Sequence, residues 1–234
     1  MSGILHLIPT PLGENNLNEV LPATVLELIP TLSCFVVEEL RTARRFLSKA
    51  GLKGKIDGLT LLELNEHTKP EVVEGYVKLL LDGNNVGLIS EAGLPAVADP
   101  GALLVKLAHN NGIRVIPYVG PSSLMMALMA SGLNGQCFAF TGYLPVKSDE
   151  RRSKIKLIEK VSLQLSQTQI IIETPYRNDS FMADILATCS PKTRVCVAAD
   201  ITLPTQTIVT KSVAGWKKEP ITIGKRPCVF LILG

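Results

Sequence analysis

Two consecutive strand–turn–helix units between Val86 and Gly132 place the strongest constraint on the fold of this chain. The apolar runs 86–89 and 115–119 each end in a turn rich in glycine, proline and small polar residues, and each turn leads into a helical pattern. Units of this kind predict parallel strands covered by helices. Both turns then lie at the carboxyl edge of one sheet, which is where open α/β sheets bind ligands.

The rest of the chain divides into two halves with different rhythms. Up to residue 117, short apolar runs alternate with amphipathic segments, which predicts a mostly parallel sheet. Beyond it, the runs 207–211 and 228–233 follow one another with no helical pattern between them, so we expect adjoining antiparallel strands. We predict two α/β domains, an N-terminal one over residues 1–117 and a C-terminal one with a mixed sheet over residues 118–234.

Composition excludes several kinds of protein. No run approaches the ~18 uninterrupted apolar residues of a membrane span, and the first residues lack the basic flank of a signal peptide. Five scattered cysteines without a CxxC pair are expected to be reduced core residues of a cytoplasmic protein. With only three scattered histidines, we expect no metal site and no membrane association.

Charge is distributed unevenly along the chain. Residues 1–117 carry 10 Lys+Arg against 13 Asp+Glu, whereas residues 118–234 carry 14 against 8. The second half, with a balance of +6, can therefore face an anionic partner. An ordinary solvated surface accounts equally well for so small an excess.

The common nucleotide-binding and hydrolase motifs are missing from the sequence. It contains no GxGxxG, no GxxxxGK[ST], no HExxH and no GxSxG. Ser122 and Ser123 open a helical pattern, but no histidine accompanies them in a known motif. We interpret this pair as a helix cap or a ligand contact rather than as nucleophiles.

Seven short motifs follow one another in a fixed order. They are IPTPLG from Ile8, VEELRTARR from Val37, LNEH from Leu64, SEAGLP with ADPG from Ser90, IPYVGPSSL from Ile116, GYLP from Gly142 and ETPYR from Glu173. Together they resemble the tetrapyrrole methylase superfamily of S-adenosylmethionine-dependent methyltransferases. Within it they are most similar to the branch that methylates ribose 2′-hydroxyl groups of small-subunit ribosomal RNA.

This resemblance implies two α/β domains with S-adenosylmethionine in the cleft between them, and a homodimer. Turns with bare backbone and a few hydroxyls suit the polar groups of that cofactor. The positions that match the family's cofactor motifs are Pro11, Leu12, Glu91, Ala92, Gly93, Pro95, Ala98, Asp99, Pro121, Ser122, Ser123, Tyr143, Glu173, Thr174 and Pro175.

Transfer of a methyl group to a ribose hydroxyl requires an aligned oxygen and a group that accepts its proton. Glu39, in the acidic motif, is the candidate base or positioning group. The alternative is a first-turn glutamate that the helix dipole favours. Cations that would bind RNA phosphates are Arg41, Arg44, Arg45, Lys147, Arg151 and Arg152.

Departures from that branch keep other functions open. The first loop carries an apparent insertion at Glu14, Glu91 stands where aspartate is usual, and ADITLP at 199–204 replaces a segment with basic residues. A longer carboxylate changes the fit of a pocket. The alternatives are a methyltransferase for a tetrapyrrole or other small heterocycle, and a module that binds the cofactor without catalysis.

Overall fold

The computed structural model describes residues 2–234, which form two compact units, residues 2–122 and 123–234. Each unit is built on its own five-stranded sheet. Within residues 2–234, none of the helices combines the length and apolar character that crossing a bilayer requires.

The sheet of the first unit is entirely parallel. Its strands are β1 (Ile4–Leu7), β2 (Cys34–Val37), β3 (Thr60–Glu63), β4 (Val86–Ile89) and β5 (Arg114–Pro117). They lie in the order β3-β2-β4-β1-β5, and every neighbouring pair is parallel. The predicted parallel sheet is confirmed, and the carboxyl ends of all five strands share one edge.

Helices connect these strands. They are α1 (Leu17–Val20), α2 (Ala23–Leu28), α3 (Leu40–Leu47), α4 (Pro70–Leu81) and α5 (Ala102–Asn110). The local sequence explains α4 well, because Pro70 fits the first turn, and Val73, Val77 and Leu80 recur on one buried face. Gly83, at φ 95°, follows the helix in the left-handed conformation that glycine adopts readily.

Two apolar clusters pack on the first sheet because neighbouring strand residues point to opposite faces. In β2, Val36 belongs to one cluster, whereas Phe35 and Val37 belong to the other. The centre of the sheet is tightly packed at Gly87, where a Cβ atom would lie 2.7 Å from Cδ1 of Phe35. Only glycine fits at that position of β4.

The residues after β5 remain with the first unit. The backbone N–H of Tyr118 donates to Leu7 O at 3.1 Å and continues the pairing with β1. Gly120 lies so close to Pro9 that a Cβ atom would collide with the proline ring. These contacts attach the loop to the carboxyl edge of the sheet.

The second unit contains a mixed sheet. Its strands are β6 (Phe138–Gly142), β7 (Thr168–Ile172), β8 (Arg194–Ala199), β9 (Thr207–Ser212) and β10 (Cys228–Leu233). Their order is β6-β7-β10-β8-β9, with β6 and β7 parallel and all other neighbours antiparallel. The mixed sheet is as predicted, but β9 and β10 do not adjoin, since β8 lies between them.

The helices of the second unit include one that the sequence pattern missed. They are α6 (Ser123–Ser131), α7 (Ser148–Leu165), α8 (Asn178–Thr188) and α9 (Val213–Lys218). The sequence shows no helical pattern between the runs 207–211 and 228–233, yet α9 lies there. Ser212 caps α9 by accepting from Gly215 N at 3.1 Å, and Trp216 fixes it to the sheet by donating to Val195 O at 2.9 Å.

Candidate functional site

Three loops of the first unit converge at the carboxyl edge of its sheet. Thr10, after β1, and Gly93, after β4, exchange two backbone hydrogen bonds, of 2.9 and 3.1 Å. Gly93 has φ +83°, and a Cβ atom there would lie 3.2 Å from Cδ2 of Leu12 and 3.5 Å from O of Pro121. Because Gly93 has no side chain and tolerates a positive φ, the three loops can approach one another closely at this point.

The loop after β4 is held in an unusual conformation. Ala96 and Ala98 have φ of 65° and 56°, a region that residues other than glycine rarely adopt. Oδ1 of Asp99 accepts from Ala96 N at 3.0 Å and from Gly101 N at 2.8 Å, and so holds the turn together. Strain of this kind accumulates at ligand sites, where a fixed loop shape is needed.

Carboxylates that follow β2 and β4 meet at the same edge of the sheet. Oε2 of Glu38, after β2, accepts from Glu91 N at 3.1 Å, and the Glu38 side chain shares a hydrogen bond with Asp99. Burial raises the pKa of the Glu38 carboxyl; the hydrogen bond from Glu91 opposes this, and the nearby charges of Asp99 and Glu91 raise it further. Thr42 donates to Oε1 of Glu91. The edge therefore contains a carboxyl group that holds its proton more tightly than an exposed glutamate.

The neighbouring Glu39 has a different environment. It is the N-cap of α3, and its carboxylate accepts from Arg41 N at 2.9 Å and from Thr42 N at 2.7 Å. These two backbone hydrogen bonds lower the pKa of Glu39. Both carboxylate oxygens bind the helix terminus, so the geometry agrees with the helix-stabilising alternative. A role in catalysis stays a prediction.

In the second unit, Glu173 lies at the end of β7 with its side chain fully buried. Its Oε1 accepts from Thr174 N at 2.6 Å and from NH2 of Arg177 at 2.5 Å. Its Oε2 is also buried and finds no hydrogen-bond partner among residues 2–234. An unsatisfied buried acceptor is costly, and a ligand donor would relieve that cost.

The remaining cofactor candidates lie in both units. Pro11 lies in the loop after β1, and Ala92 and the buried Pro95 lie in the loop after β4. Ser122 is the last residue of the first unit. Ser123 begins α6 in the second unit, Tyr143 is exposed after β6, and Pro175 begins a 3₁₀ turn after Thr174.

The candidate RNA-binding cations of α3 are exposed. The side chains of Arg41 and Arg44 are exposed to solvent, and Arg45 donates to Oε1 of Glu14 at 2.9 Å. All three lie on the helix that follows Glu38 and Glu39. Their positions leave them accessible to a polyanion.

The cations of α7 differ in their exposure. Lys147 is exposed and lies 3.4 Å from Oε1 of Glu150, whereas Arg151 is buried and its NH2 lies 2.5 Å from Oδ2 of Asp184. Arg152, half exposed, donates from Nε to Oδ1 of Asp184 at 2.6 Å. Arg151 is thus committed to a buried ion pair and has no free face for a phosphate, which corrects its proposed role.

Asp184 holds that network together. Burial favours a higher pKa for its carboxyl, but hydrogen bonds from Arg152, Arg151 and Ser148 outweigh burial and leave the pKa below its ordinary value.

Within residues 2–234 no group of three or more histidine, cysteine, aspartate or glutamate side chains is arranged to hold a metal ion.

Sequence reasoning missed two polar groups at this edge. The sequence pattern favours Glu39 over Glu38, and it gives Ser90 no role beyond its place in the motif SEAGLP. The signal for Glu38 is its position directly after a fully buried strand and before a helix N-cap. Ser90 likewise follows β4 directly, and its buried Oγ finds no hydrogen-bond partner among residues 2–234.

Comparisons with known proteins add to this geometry. No family model matches the sequence. The chain is 31% identical to the ribosomal RNA small subunit methyltransferase I of Vibrio cholerae serotype O1, over 99% of this chain and 77% of that protein. It is also 31% identical to the protein of the same name from Escherichia coli O157:H7, over 99% of this chain and 78% of that protein.

One solved structure reports on the fold. A uroporphyrin-III C-methyltransferase from Thermus thermophilus, complexed with S-adenosyl homocysteine, matches with a TM-score of 0.60 and 16% identity, over 99% of this chain and 97% of that one. Its likeness supports the two-unit α/β architecture, and the sequence identities above cover nearly the whole chain. The chain therefore belongs to the ribosomal RNA small subunit methyltransferase I family.

Proposed function

We propose that this protein is an S-adenosylmethionine-dependent methyltransferase that methylates a ribose 2′-hydroxyl of small-subunit ribosomal RNA in the cytoplasm. The observation that carries the proposal is 31% identity over 99% of the chain to a small-subunit ribosomal RNA methyltransferase. The S-adenosyl homocysteine bound to the structurally similar uroporphyrin-III C-methyltransferase supports the choice of cofactor.

The residues around Gly93 fit this cofactor. A Cβ atom at Gly93 would press against Leu12 and Pro121, so a side chain there would displace the loops proposed to hold the cofactor. S-adenosylmethionine supplies a methyl group on a sulfonium, which is already activated for transfer. The protein's task is then to align the acceptor oxygen, exclude water and take up a proton. In the second unit, Glu173 supports the proposal because its buried Oε2 lacks a partner among residues 2–234.

Two glutamates are candidates for taking up the proton. Glu39 is the family-derived candidate, but both of its oxygens accept from backbone N–H groups of α3. Glu38 is favoured because its carboxyl is partly buried at the sheet edge beside Asp99 and has a raised pKa. A general base with a pKa nearer to the working pH is more effective.

Exposed cations support the assignment of an RNA substrate. Arg41, Arg44 and Arg45 lie on α3, Lys147 is the N-cap of α7, and Arg152 lies on α7. Each can neutralise a phosphate, which contributes affinity without selecting a base sequence.

We also propose a homodimer. The edge strand β6 exposes Phe138 and Phe140, and α6 of the same unit exposes Met129. Large apolar side chains left exposed on one unit are typical of a protein interface. Light scattering should give twice the mass of one chain, and a monomer mass at micromolar concentration would contradict the dimer.

The decisive experiment is a methyl-transfer assay with tritiated S-adenosylmethionine. Small ribosomal subunits that lack this modification are the acceptor, and fully modified subunits are the control. We expect label in the RNA of the unmodified subunits alone, at a ribose that resists alkaline cleavage. Label on a tetrapyrrole alone, or cofactor binding without labelling of any acceptor, would contradict the proposal.

A further inference from the structure

A cavity of about 230 Å³ lies within the first unit, on the α3 side of the loop after β4. We call it the α3 cavity. Its walls come from the loop after β1, one face of α3 and the end of β4, and its apolar lining includes Leu17, Ala43, Phe46 and Ile89. It is smaller than the roughly 300–1,000 Å³ pockets that hold drug-sized ligands. A cavity of this size and lining suits one flat ring system.

Two cations beside the α3 cavity already hold an anion. NH2 of Arg45 lies 2.9 Å from Oε1 of Glu14, and Nζ of Lys49 lies 2.8 Å from Oε2 of the same carboxylate. All three side chains line the cavity and are more than half exposed. Exposed ion pairs contribute little to stability, so an incoming phosphate can replace the Glu14 carboxylate.

The wall formed by the end of β4 is polar. Ser90 lines the cavity and is only 8% exposed, and its Oγ has no hydrogen-bond partner among residues 2–234. Thr42 and Glu91, hydrogen-bonded to each other, line the same cavity. A buried hydroxyl without a partner is unusual in a folded protein, and it points to a polar group that a ligand brings.

We propose that the α3 cavity binds one ribonucleotide of the acceptor RNA. The phosphate replaces Glu14 between Arg45 and Lys49, the base lies on the apolar lining, and a ribose hydroxyl reaches Ser90. This inference rests on the proposed function for its ligand class, since small-subunit ribosomal RNA is a polyribonucleotide. The cavity shares Pro11, Leu12, Glu91 and Ala92 with the loops around Gly93, which brings the bound ribose close to the proposed cofactor site.

Isothermal titration calorimetry with the four ribonucleoside 5′-monophosphates tests the cavity without any methylation. We expect at least one of them to bind the intact protein at least tenfold more tightly than inorganic phosphate, with saturating S-adenosylmethionine present. Equal affinity for inorganic phosphate would mean that only the two cations bind, and it would overturn the proposal. Competition between the nucleotide and S-adenosylmethionine would place the nucleotide in the cofactor site, which also overturns it.

Matched variants test the charged side of the cavity. Lys49→Ala should weaken nucleotide binding about tenfold, whereas Lys53→Ala, an exposed lysine that does not line the cavity, should leave it unchanged. Glu14→Gln should strengthen binding because it removes the competing carboxylate. Glu74→Gln on α4 makes the same charge change elsewhere on the unit. Equal effects within either pair would show that net charge alone acts, and would overturn the proposal.

Ser90→Ala tests recognition of the ribose. The wild-type protein should prefer a ribonucleotide to its 2′-deoxy counterpart by about fivefold, the value of one hydrogen bond, and the variant should lose this preference. Because Ser90 Oγ is buried without a partner in the protein, its removal should not lower the thermal midpoint. A preference that persists in the variant would overturn the role of Ser90 and the proposed orientation.

The two proposals fail in different experiments. If nucleotides bind as described but ribosomal RNA receives no label, the α3 cavity stands and the methyl-transfer function falls. If ribosomal RNA is labelled while Lys49→Ala and Ser90→Ala leave the KM for the subunit unchanged, the function stands and the α3 cavity falls.

Discussion

Two consecutive glutamates show how strongly a shift of one residue changes the environment of a side chain. Glu39 caps α3 through two backbone hydrogen bonds, whereas Glu38 turns to the sheet edge and meets Asp99. The sequence placed both beside the ligand edge, since they follow a buried strand. It could not distinguish them, because the choice depends on where α3 begins and on the strained loop that carries Asp99.

Glu38 should control the acid side of the pH–rate profile. Because its pKa is raised, the carboxyl is protonated at pH values where an exposed glutamate is ionised, and only the ionised form accepts a proton. Activity should therefore rise with pH through the raised pKa of Glu38, and Glu38→Gln should remove that limb and lower kcat at least 100-fold. Glu39→Gln is the matched control and should keep its kcat. If Glu39→Gln loses kcat while Glu38→Gln keeps it, Glu39 is the base.

Substitution of Gly93 should weaken cofactor binding, whereas substitution of a matched glycine should not. Gly93→Val places a side chain against Leu12 and Pro121, whereas Gly112, also at positive φ, has open space around it. Both valine variants should lose about 1–2 kcal/mol of stability from the left-handed backbone. Only Gly93→Val should weaken S-adenosylmethionine binding, by at least tenfold in calorimetry. Equal affinities in the two variants would remove the cofactor assignment at this loop.

At the scale of elements, prediction succeeded where burial is continuous or periodic. The bounds of β4 and β10 match the apolar runs 86–89 and 228–233, because the apolar residues of each run are nearly unbroken. The order of β8, β9 and β10 was not predictable, since pairing between distant strands leaves no local signal. The helix α9 was missed because its fixed position depends on Trp216 reaching Val195, a contact across the sheet.

The α7–α8 pair should depend on Asp184 for stability. Asp184→Asn leaves Arg151 buried without its counter-charge and should cost about 3–5 kcal/mol in urea unfolding. Glu150→Gln, which breaks an exposed pair with Lys147, should cost less than about 1 kcal/mol. The folded-state pKa of Asp184 is depressed, so its stabilisation is complete above its ordinary value of 3.8 and is lost as pH falls through the lower folded value. Equal costs for the two variants would contradict this role.

At the scale of the molecule, charge divides along the same line as the units. Residues 123–234 contain 14 Lys+Arg and 8 Asp+Glu, whereas the preceding residues carry an excess of acid. Of the five exposed cations proposed for RNA, three lie on α3 of the first unit and two on α7 or its N-cap in the second. Net charge alone, +3 over the chain, would not have indicated a polyanionic partner.

Binding of ribosomal RNA should therefore depend steeply on salt. Each neutralised single-stranded phosphate contributes a slope of about −0.7 to a plot of log affinity against log salt, so five cations predict a total of about −3.5. Fluorescence anisotropy with a labelled fragment of small-subunit ribosomal RNA measures this slope, and Lys147→Ala should reduce its magnitude by about 0.7. A slope near zero would contradict phosphate contacts by these cations.

The left-handed alanines of the β4 loop have a consequence for protein engineering. Ala96 and Ala98 would be relieved by glycine, which occupies that backbone region freely. A search for thermostable variants would therefore be drawn to these two positions. Glycine there would also make the turn that Asp99 closes more flexible. Such variants would therefore gain thermal stability and lose turnover rate.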